Sequence, residues 1–151
     1  MSTGQGQTTT GSGPGSVSKR EAILATLATR LNAHRAPWPE LLLDTESPYT
    51  LLTDGEETVT GQDYDDALIS LAVGVRRTTL AATDASRAST ANALLAELIA
   101  ATFGTDRTLG GACEGMRYDS GSTDYPTDGT LLVGAVALFA IDYRHAGGSP
   151  Y

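Results

Sequence analysis

Apolar residues recur at the helical period in a first stretch that begins at Ser18. Ser18 and Glu21 have the spacing of a capping box, in which each side chain accepts a hydrogen bond from a free backbone N–H at the helix start. The residues of the apolar face are Ile23, Leu24, Leu27 and Leu31. The basic residues left for solvent are Lys19, Arg20 and Arg30. The pattern predicts a helix that ends before the prolines of "APWPE", with Trp38 folding back onto the core.

A second helical stretch follows Thr83 and Asp84, either of which can cap it. Its apolar stripe consists of Ala91, Leu94, Leu95, Leu98, Ile99 and Thr102. Gly104 is suited to end it, because glycine tolerates the backbone angles found just past a helix. The sequence therefore predicts a second helix that packs along one side.

Alternating positions predict strands in the segments around these helices. The run "YTLLTDGEETVT" places Asp54-Gly55, a dipeptide typical of tight turns, between two extended stretches, so we expect a hairpin there. The next run, "DDALISLAVGVRRTTL", has a buried face formed by Ile69, Leu71, Val73 and Val75. A further antiparallel pair of strands is predicted by "ACEGMRYDS", the polar turn "GSTDYPTDG" and "TLLVGAVALFAIDYRH". The fold class is α+β, a sheet of about four strands against two helices in the order α-β-β-α-β-β.

The last strand is apolar on both of its faces. One face carries Val133, Ala135, Ala137, Phe139 and Ile141, and the other carries Leu132, Val136, Leu138 and Ala140. We expect Phe139 to lie under the helices. Two helices can cover only one face of a sheet, so the second face needs another cover. The sequence leaves two sources for it, a neighbouring subunit or the chain's own residues 37–48.

Composition limits the classes of function. The 151 residues include 10 lysines and arginines against 18 aspartates and glutamates, a formal net charge of -8, which argues against a surface that holds nucleic acid phosphates. The length fits one domain. No apolar stretch is long enough to cross a bilayer and the start lacks the apolar centre of a secretory signal, so we expect no membrane partner and a protein made in the cytoplasm.

The first residues differ in composition from the rest of the chain. "MSTGQGQTTTGSGPGS" contains no aliphatic side chain after Met1, so burial cannot offset the entropy lost on ordering it. We expect residues 1–17 to form a flexible arm that becomes ordered only along a neighbouring chain. Residues 18–151 are expected to form the single domain.

Candidate chemistry is sparse. Cys113, within "LGGACEG", is a conceivable nucleophile with His34 or His145 as its base, but a small packed thiol is the favoured interpretation because no hydrolase spacing accompanies it. The carboxylates of "DGEE" and "DYDD" match no calcium loop, and the two histidines have no metal-ligand spacing. We therefore expect no catalytic residue, no cofactor and no metal.

Four segments together resemble the phage tail terminators, also called tail completion proteins. They are "KREAILATLATRL", the pair "YTLLTDGEE" and "ALISLAVGV", "DRTLGGACEGMRY", and "VGAVALFAIDYRHAGGSPY". The resemblance covers residues 18–151, whereas the glycine-rich arm departs from the family pattern. It implies a virion protein that forms a ring, usually of six copies, on the last ring of the major tail tube protein. Such a ring stops tube growth, meets the head-tail connector and lets DNA pass through its lumen without specific binding.

A ring subunit needs residues that contact its neighbours. The expected contact residues are Asp54, Gly55, Glu56, Glu57, Arg76, Arg77, Leu132, Val136 and Leu138. Two other hypotheses remain, a different head-tail connector or neck protein, and an enzyme that depends on Cys113.

Overall fold

The computed structural model describes residues 17–35, 49–63, 65–125 and 130–146. The elements in chain order are α1 (Lys19–Leu31), β1 (His34–Arg35), β2 (Tyr49–Gln62), β3 (Asp66–Leu80), α2 (Arg87–Phe103), β4 (Gly115–Asp124) and β5 (Leu132–Ala146). The α+β class and the two helices are confirmed. The described residues contain five strands rather than four, because the two-residue strand β1 is too short to produce a sequence period. The predicted arm, Trp38 and the 37–48 cover lie mostly or wholly outside the described residues.

The five strands form one mixed sheet in the order β1-β2-β3-β5-β4. Only β1 and β2 pair in parallel, through His34 opposite Leu51 and Arg35 opposite Leu52. The centre of the sheet is the antiparallel pair β3–β5, which stays in regular register from Asp66 opposite Ala146 to Leu80 opposite Leu132. The predicted pairing of the last two strands is confirmed, since β4 is antiparallel to β5.

Helix α1 is capped differently from the prediction. The Ser18 hydroxyl accepts a hydrogen bond from the Glu21 N–H at 3.1 Å, which is one half of a capping box. The Glu21 carboxylate instead accepts from Arg35 beyond the helix. Arg30, expected in water, donates from Nη1 to the carbonyl oxygens of Thr102 and Phe103 at 3.1 and 2.8 Å. The two helices are therefore joined at their C-terminal ends.

Helix α2 begins after a short 3-10 turn at Asp84–Ser86. Thr83 caps that turn through reciprocal hydrogen bonds with Ser86 and does not cap the helix itself. Gly104 ends the helix at a φ of 57°, where a side chain would be strained. The predicted end of the helix is confirmed, whereas the predicted start lies one turn too early.

The hairpin predicted at Asp54-Gly55 is wrong. Strand β2 continues through this dipeptide, and the chain reverses at residues 63–66, where the Asp63 N–H donates to the Asp66 carbonyl at 2.8 Å. Between Asp54 and Glu57, β2 contains one extra residue, a β-bulge. A Cβ at Gly55 would lie 3.1 Å from the Ala72 carbonyl oxygen, so glycine is needed for close backbone approach rather than for a turn.

The core lies between the two helices and one face of the sheet. The predicted inward residues of β3 and β5 are all buried, as are the inward residues of α1. Phe139 is fully buried beneath α2, with its ring edge-on to that of Phe103 at 5.4 Å between centroids. Both helices pack on this face, which leaves the opposite face of the sheet without a helix among the described residues.

Candidate subunit interface on the open face of the sheet

The open face of the sheet contains an apolar patch at its centre. Leu138 lies opposite Gly74 of β3, and Val136 lies opposite Arg76. Leu138 is 45% exposed, although Phe139 beside it on the same strand is fully buried. The predicted alternation of β5 is confirmed, and Leu138, Val136, Gly74 and Ala72 are hereafter the central patch. Leu132 and Leu80 extend the apolar surface toward one end of the sheet.

Small residues make the central patch concave. A depression of about 280 Å3 is lined by Gly55, Ala72, Gly74 and Leu138 together with Asp54 and Asp119. A Cβ at Gly74 would lie 3.0 Å from Thr53 Oγ1 and 3.3 Å from Leu138 Cδ2, so Leu138 leans over the glycine. The patch therefore combines an exposed apolar side chain with a shallow cavity, a shape that suits a protruding partner residue.

Arg117 bounds one side of the central patch. From the edge strand β4 it reaches across β5, where its guanidinium donates to Asp142 at 3.0 Å and to the Ser70 hydroxyl at 3.3 Å. Arg117 remains more than half exposed in this position. A guanidinium carries five N–H donors, so the pair with Asp142 leaves donors for a partner.

Arg76 bounds the other side and crosses β5 in the opposite direction. Its Nη2 atom lies 3.5 Å from the position that a Cβ at Gly134 would occupy, and 3.9 Å from the Asp124 carboxylate on β4. Gly134 thus provides the space for the arginine to lie flat on the sheet. The two arginines, each opposed by an aspartate, border an apolar centre, which is the usual arrangement of a protein–protein contact surface.

Arg77 does not belong to this surface. It lies opposite Ala135 on the helix-covered face, and its Nε donates to the Thr50 hydroxyl at 2.8 Å. The sequence grouped Arg76 with Arg77 as candidate contacts, but consecutive residues of a strand point to opposite faces. The structure places only Arg76 beside Val136 and Leu138.

Asp54 and Glu57 also face the helices. Arg20 of α1 donates to Asp54 at 2.7 Å and to the Gly55 carbonyl at 2.9 Å, and its other terminal nitrogen lies 3.3 Å from Glu57. This hydrogen bond with Arg20 lowers the pKa of Asp54. Tyr143 donates to Glu57, and burial raises the pKa of the tyrosine above its usual value. These carboxylates anchor α1 to the β2 bulge, in place of the exposed turn that the sequence indicated.

The hairpin tip, defined as residues 56–63 and 65–68, includes Glu57 of this anchor and Ala67 of the core. Between residues 54 and 66 the sequence has six carboxylates and no lysine or arginine. Glu56 is exposed, and Val59 is 54% exposed on the face that carries the helices elsewhere. The absence of any basic residue between Arg35 and Arg76 is a sequence signal that identifies this acidic element. Val59 and Arg117, by contrast, were not among the predicted contacts.

Cys113 occupies a poor environment for a nucleophile. Its side chain is buried, its thiol donates to the Arg107 carbonyl at 3.5 Å, and burial raises its pKa. His34 lies in the edge strand β1, whereas Cys113 precedes β4 at the other edge. Strands are about 4.8 Å apart, so these edges are roughly 19 Å apart and His34 cannot be its base. His145 lies on β5 with its ring 6.1 Å from that of Tyr143.

The loop before Cys113 is organised by Asp106. Its carboxylate accepts hydrogen bonds from the Thr108 hydroxyl, the Thr108 N–H and the Gly110 N–H, at 2.6, 2.9 and 2.7 Å. These donors lower its pKa to about 2. Leu109 adopts a positive φ of 54° within this turn and is buried in the core. The predicted "LGGACEG" glycines therefore belong to a packed turn.

Comparison with family models and with curated proteins adds no relative. No protein-family model matches the chain, and no curated protein matches it. In the parts of the chain that the structure describes, no three His, Cys, Asp or Glu residues are grouped as metal ligands. Neither described helix is long and apolar enough to cross a membrane.

Proposed function

We propose that this protein is a structural subunit of a phage tail terminator ring. In this role six copies assemble on the last ring of the tail tube, stop its growth and present a surface to the head-tail connector. The resemblance over residues 18–151 supplies the family, and the role needs neither a catalytic residue nor a cofactor. The observation that carries the proposal is the central patch, an apolar surface on a sheet whose other face is already covered.

Burial of the central patch supplies the driving force for assembly. Apolar surface contributes about 25 cal/mol for each Å2 removed from water, so an exposed leucine favours association when it is covered. In a ring every subunit needs two contact surfaces, one for each neighbour. The open face is one of them, and a net charge of -8 keeps the ring compatible with DNA that passes without sticking.

This function can be tested by adding the purified protein to tail tube subunits, either before or after the tubes have grown. Electron microscopy should show tubes of fixed length with a ring at one end, and native mass spectrometry should show a hexamer. Binding to portal or adaptor rings without any effect on tube length would instead support the neck-protein alternative. Loss of capping in Cys113→Ala, with the ring intact, would revive the enzyme hypothesis.

A further inference from the structure

One end of the open face is buried, although neither helix lies on that face. Leu51 of β2 is opposite Arg76, so its side chain points to the open side of the sheet. Thr78 of β3 is opposite Gly134 and points to the same side. Leu51 is fully buried and Thr78 is 2% exposed, yet Leu51 belongs to neither cluster of buried side chains that the described residues form. The cover of this end therefore lies outside the described residues.

We infer that residues 36–48, which connect β1 to β2, cross the open face and cover this end of it. The Thr78 hydroxyl has no hydrogen-bond partner among the described residues, as expected beneath an apolar cover. The other stretches outside the described residues contain no leucine, isoleucine, valine or tryptophan. The large apolar side chains of this segment are Trp38, Leu41, Leu42 and Leu43. The inference concerns a single chain, so it does not depend on the ring.

The hand of the connection also points to the open face. Strands β3 and β4 are parallel, since both are antiparallel to β5, and α2 joins them over the helix-covered face. Strands β1 and β2 are parallel too, but they run opposite to β3, while the chain moves across the sheet in the same direction. Two such connections have the same hand only when they cross opposite faces. Connections between parallel strands of one sheet are right-handed in about 98% of cases, so the β1–β2 connection crosses the open face.

The ends of the segment lie beside the buried end of the face. His34 of β1 stacks on Tyr49, the first residue of β2, with 4.7 Å between ring centroids. Tyr49 is opposite Thr78, so the segment reaches β2 where the cover is needed. Adjacent parallel strands need a connection of about a dozen residues or more, which residues 36–48 supply. Leu138 is 45% exposed, so this cover stops short of the central patch.

The fluorescence of Trp38 tests whether the segment packs within one chain. Trp38 is the only tryptophan, so its emission reports on this segment alone. The measurement uses the full chain, diluted until size-exclusion chromatography shows a monomer. We expect acrylamide to quench Trp38 several-fold less in this folded monomer than in the urea-unfolded chain, because a packed indole is shielded from the quencher.

A double-mutant cycle tests where the segment packs. Serine at positions 38, 41, 42 and 43 should remove the cover, so that Leu51→Ala lowers stability much less in that chain than in the parent. Leu52→Ala is the matched control on the same strand, because Leu52 is also buried but faces the helices. It should cost the same in both backgrounds, as measured by urea unfolding. If the four serines prevent folding, Trp38→Ser alone provides the second background.

Three results would overturn this inference. Quenching of Trp38 that is as strong in the folded monomer as in the unfolded chain would show that the segment is not packed. Protection of Trp38 that arises only on association would assign the cover to a neighbouring copy. Equal costs of Leu51→Ala in the two backgrounds would place the segment elsewhere. None of these results bears on whether tail tubes are capped, so the proposed function is tested separately.

Discussion

The two faces of the sheet differ in what covers them. On one face α1 and α2 bury the inward residues of β3 and β5, so that Phe139 is removed from water within a single chain. On the other face two arginines border an apolar centre that remains half open, with Leu138 at 45% exposure. One strand thus has a buried side and an open side, and in the proposed ring adjacent residues of β5 would separate folding from association. Substitutions on each face can test that separation.

The largest expected effect on folding comes from Phe139→Ala. The change removes a fully buried ring that packs against Phe103 and leaves a cavity, at a cost of about 3–5 kcal/mol. Small domains have only about 5–15 kcal/mol of stability, so chemical denaturation should show a large fall. Leu138→Ala is the control on the same strand and should cost well under half as much. Equal losses for the two variants would contradict the difference between the faces.

Leu138→Glu tests the open face directly. The carboxylate remains in water in the free subunit, so thermal melting should change little. In the proposed ring it would place a charged group in an apolar contact, and we expect association to weaken at least 100-fold, about 2.7 kcal/mol. Size-exclusion chromatography across a concentration series measures this. A variant that melts like Phe139→Ala would mean that the chain itself covers this face, and a variant that still forms rings would mean that no neighbouring subunit covers it.

Arg30→Ala tests how the covered face is held together. Arg30 links α1 to the last carbonyls of α2, and a hydrogen bond from a charged group contributes about 1.5–3 kcal/mol when it is buried. Because this site is only partly buried, we expect a loss of about 1–2 kcal/mol in urea unfolding. Arg30→Lys, which cannot reproduce the fork of donors, should recover part of it. No loss in either variant would show that helix packing alone holds the ends of α1 and α2 together.

Asp106 should make the smallest contribution, and one that depends on pH. Its pKa is lowered to about 2 in the folded chain by hydrogen bonds from Thr108 and Gly110, compared with 3.8 for an ordinary aspartate. The stabilisation is therefore fully present above pH 3.8 and is lost as the pH falls toward 2. Asp106→Asn should lower stability slightly at pH 7 and flatten this acid dependence. Identical pH profiles for the variant and the parent would contradict this role.

The sequence predicts the elements whose apolar pattern repeats over many residues. It misses the features that depend on strand register. Both helices and the two faces of β5 follow from repeated apolar positions. The hairpin was misplaced because Asp54-Gly55 fits a tight turn as well as a bulge, and only pairing with Ala72 and Val73 distinguishes them. β1 has too few residues to show a period.

The candidate interface could be predicted only in part, because it too depends on strand order and register. Val136 and Leu138 follow from strand alternation. The positions of Arg117 and Arg76 depend on which strands neighbour β5, and no local pattern contains that information. Arg77 was misassigned because a pair of adjacent arginines was treated as one group. The acidic hairpin tip was visible as a run without basic residues, but the exposure of Val59 on the helix-side face of β2 was not.

The regular pairing of β3 with β5 has a consequence for the order of folding. These strands are separated in sequence by α2 and β4, so the central pair joins residues as far apart as Asp66 and Ala146. Contacts of such long sequence separation slow folding. During synthesis β3 has no β5 to pair with until the ribosome has added more than 50 further residues, counted from Leu80 to Leu132. Newly made chains therefore leave one hydrogen-bonding edge of β3 unpaired for that interval, and unpaired strand edges make unfinished polypeptides prone to aggregate.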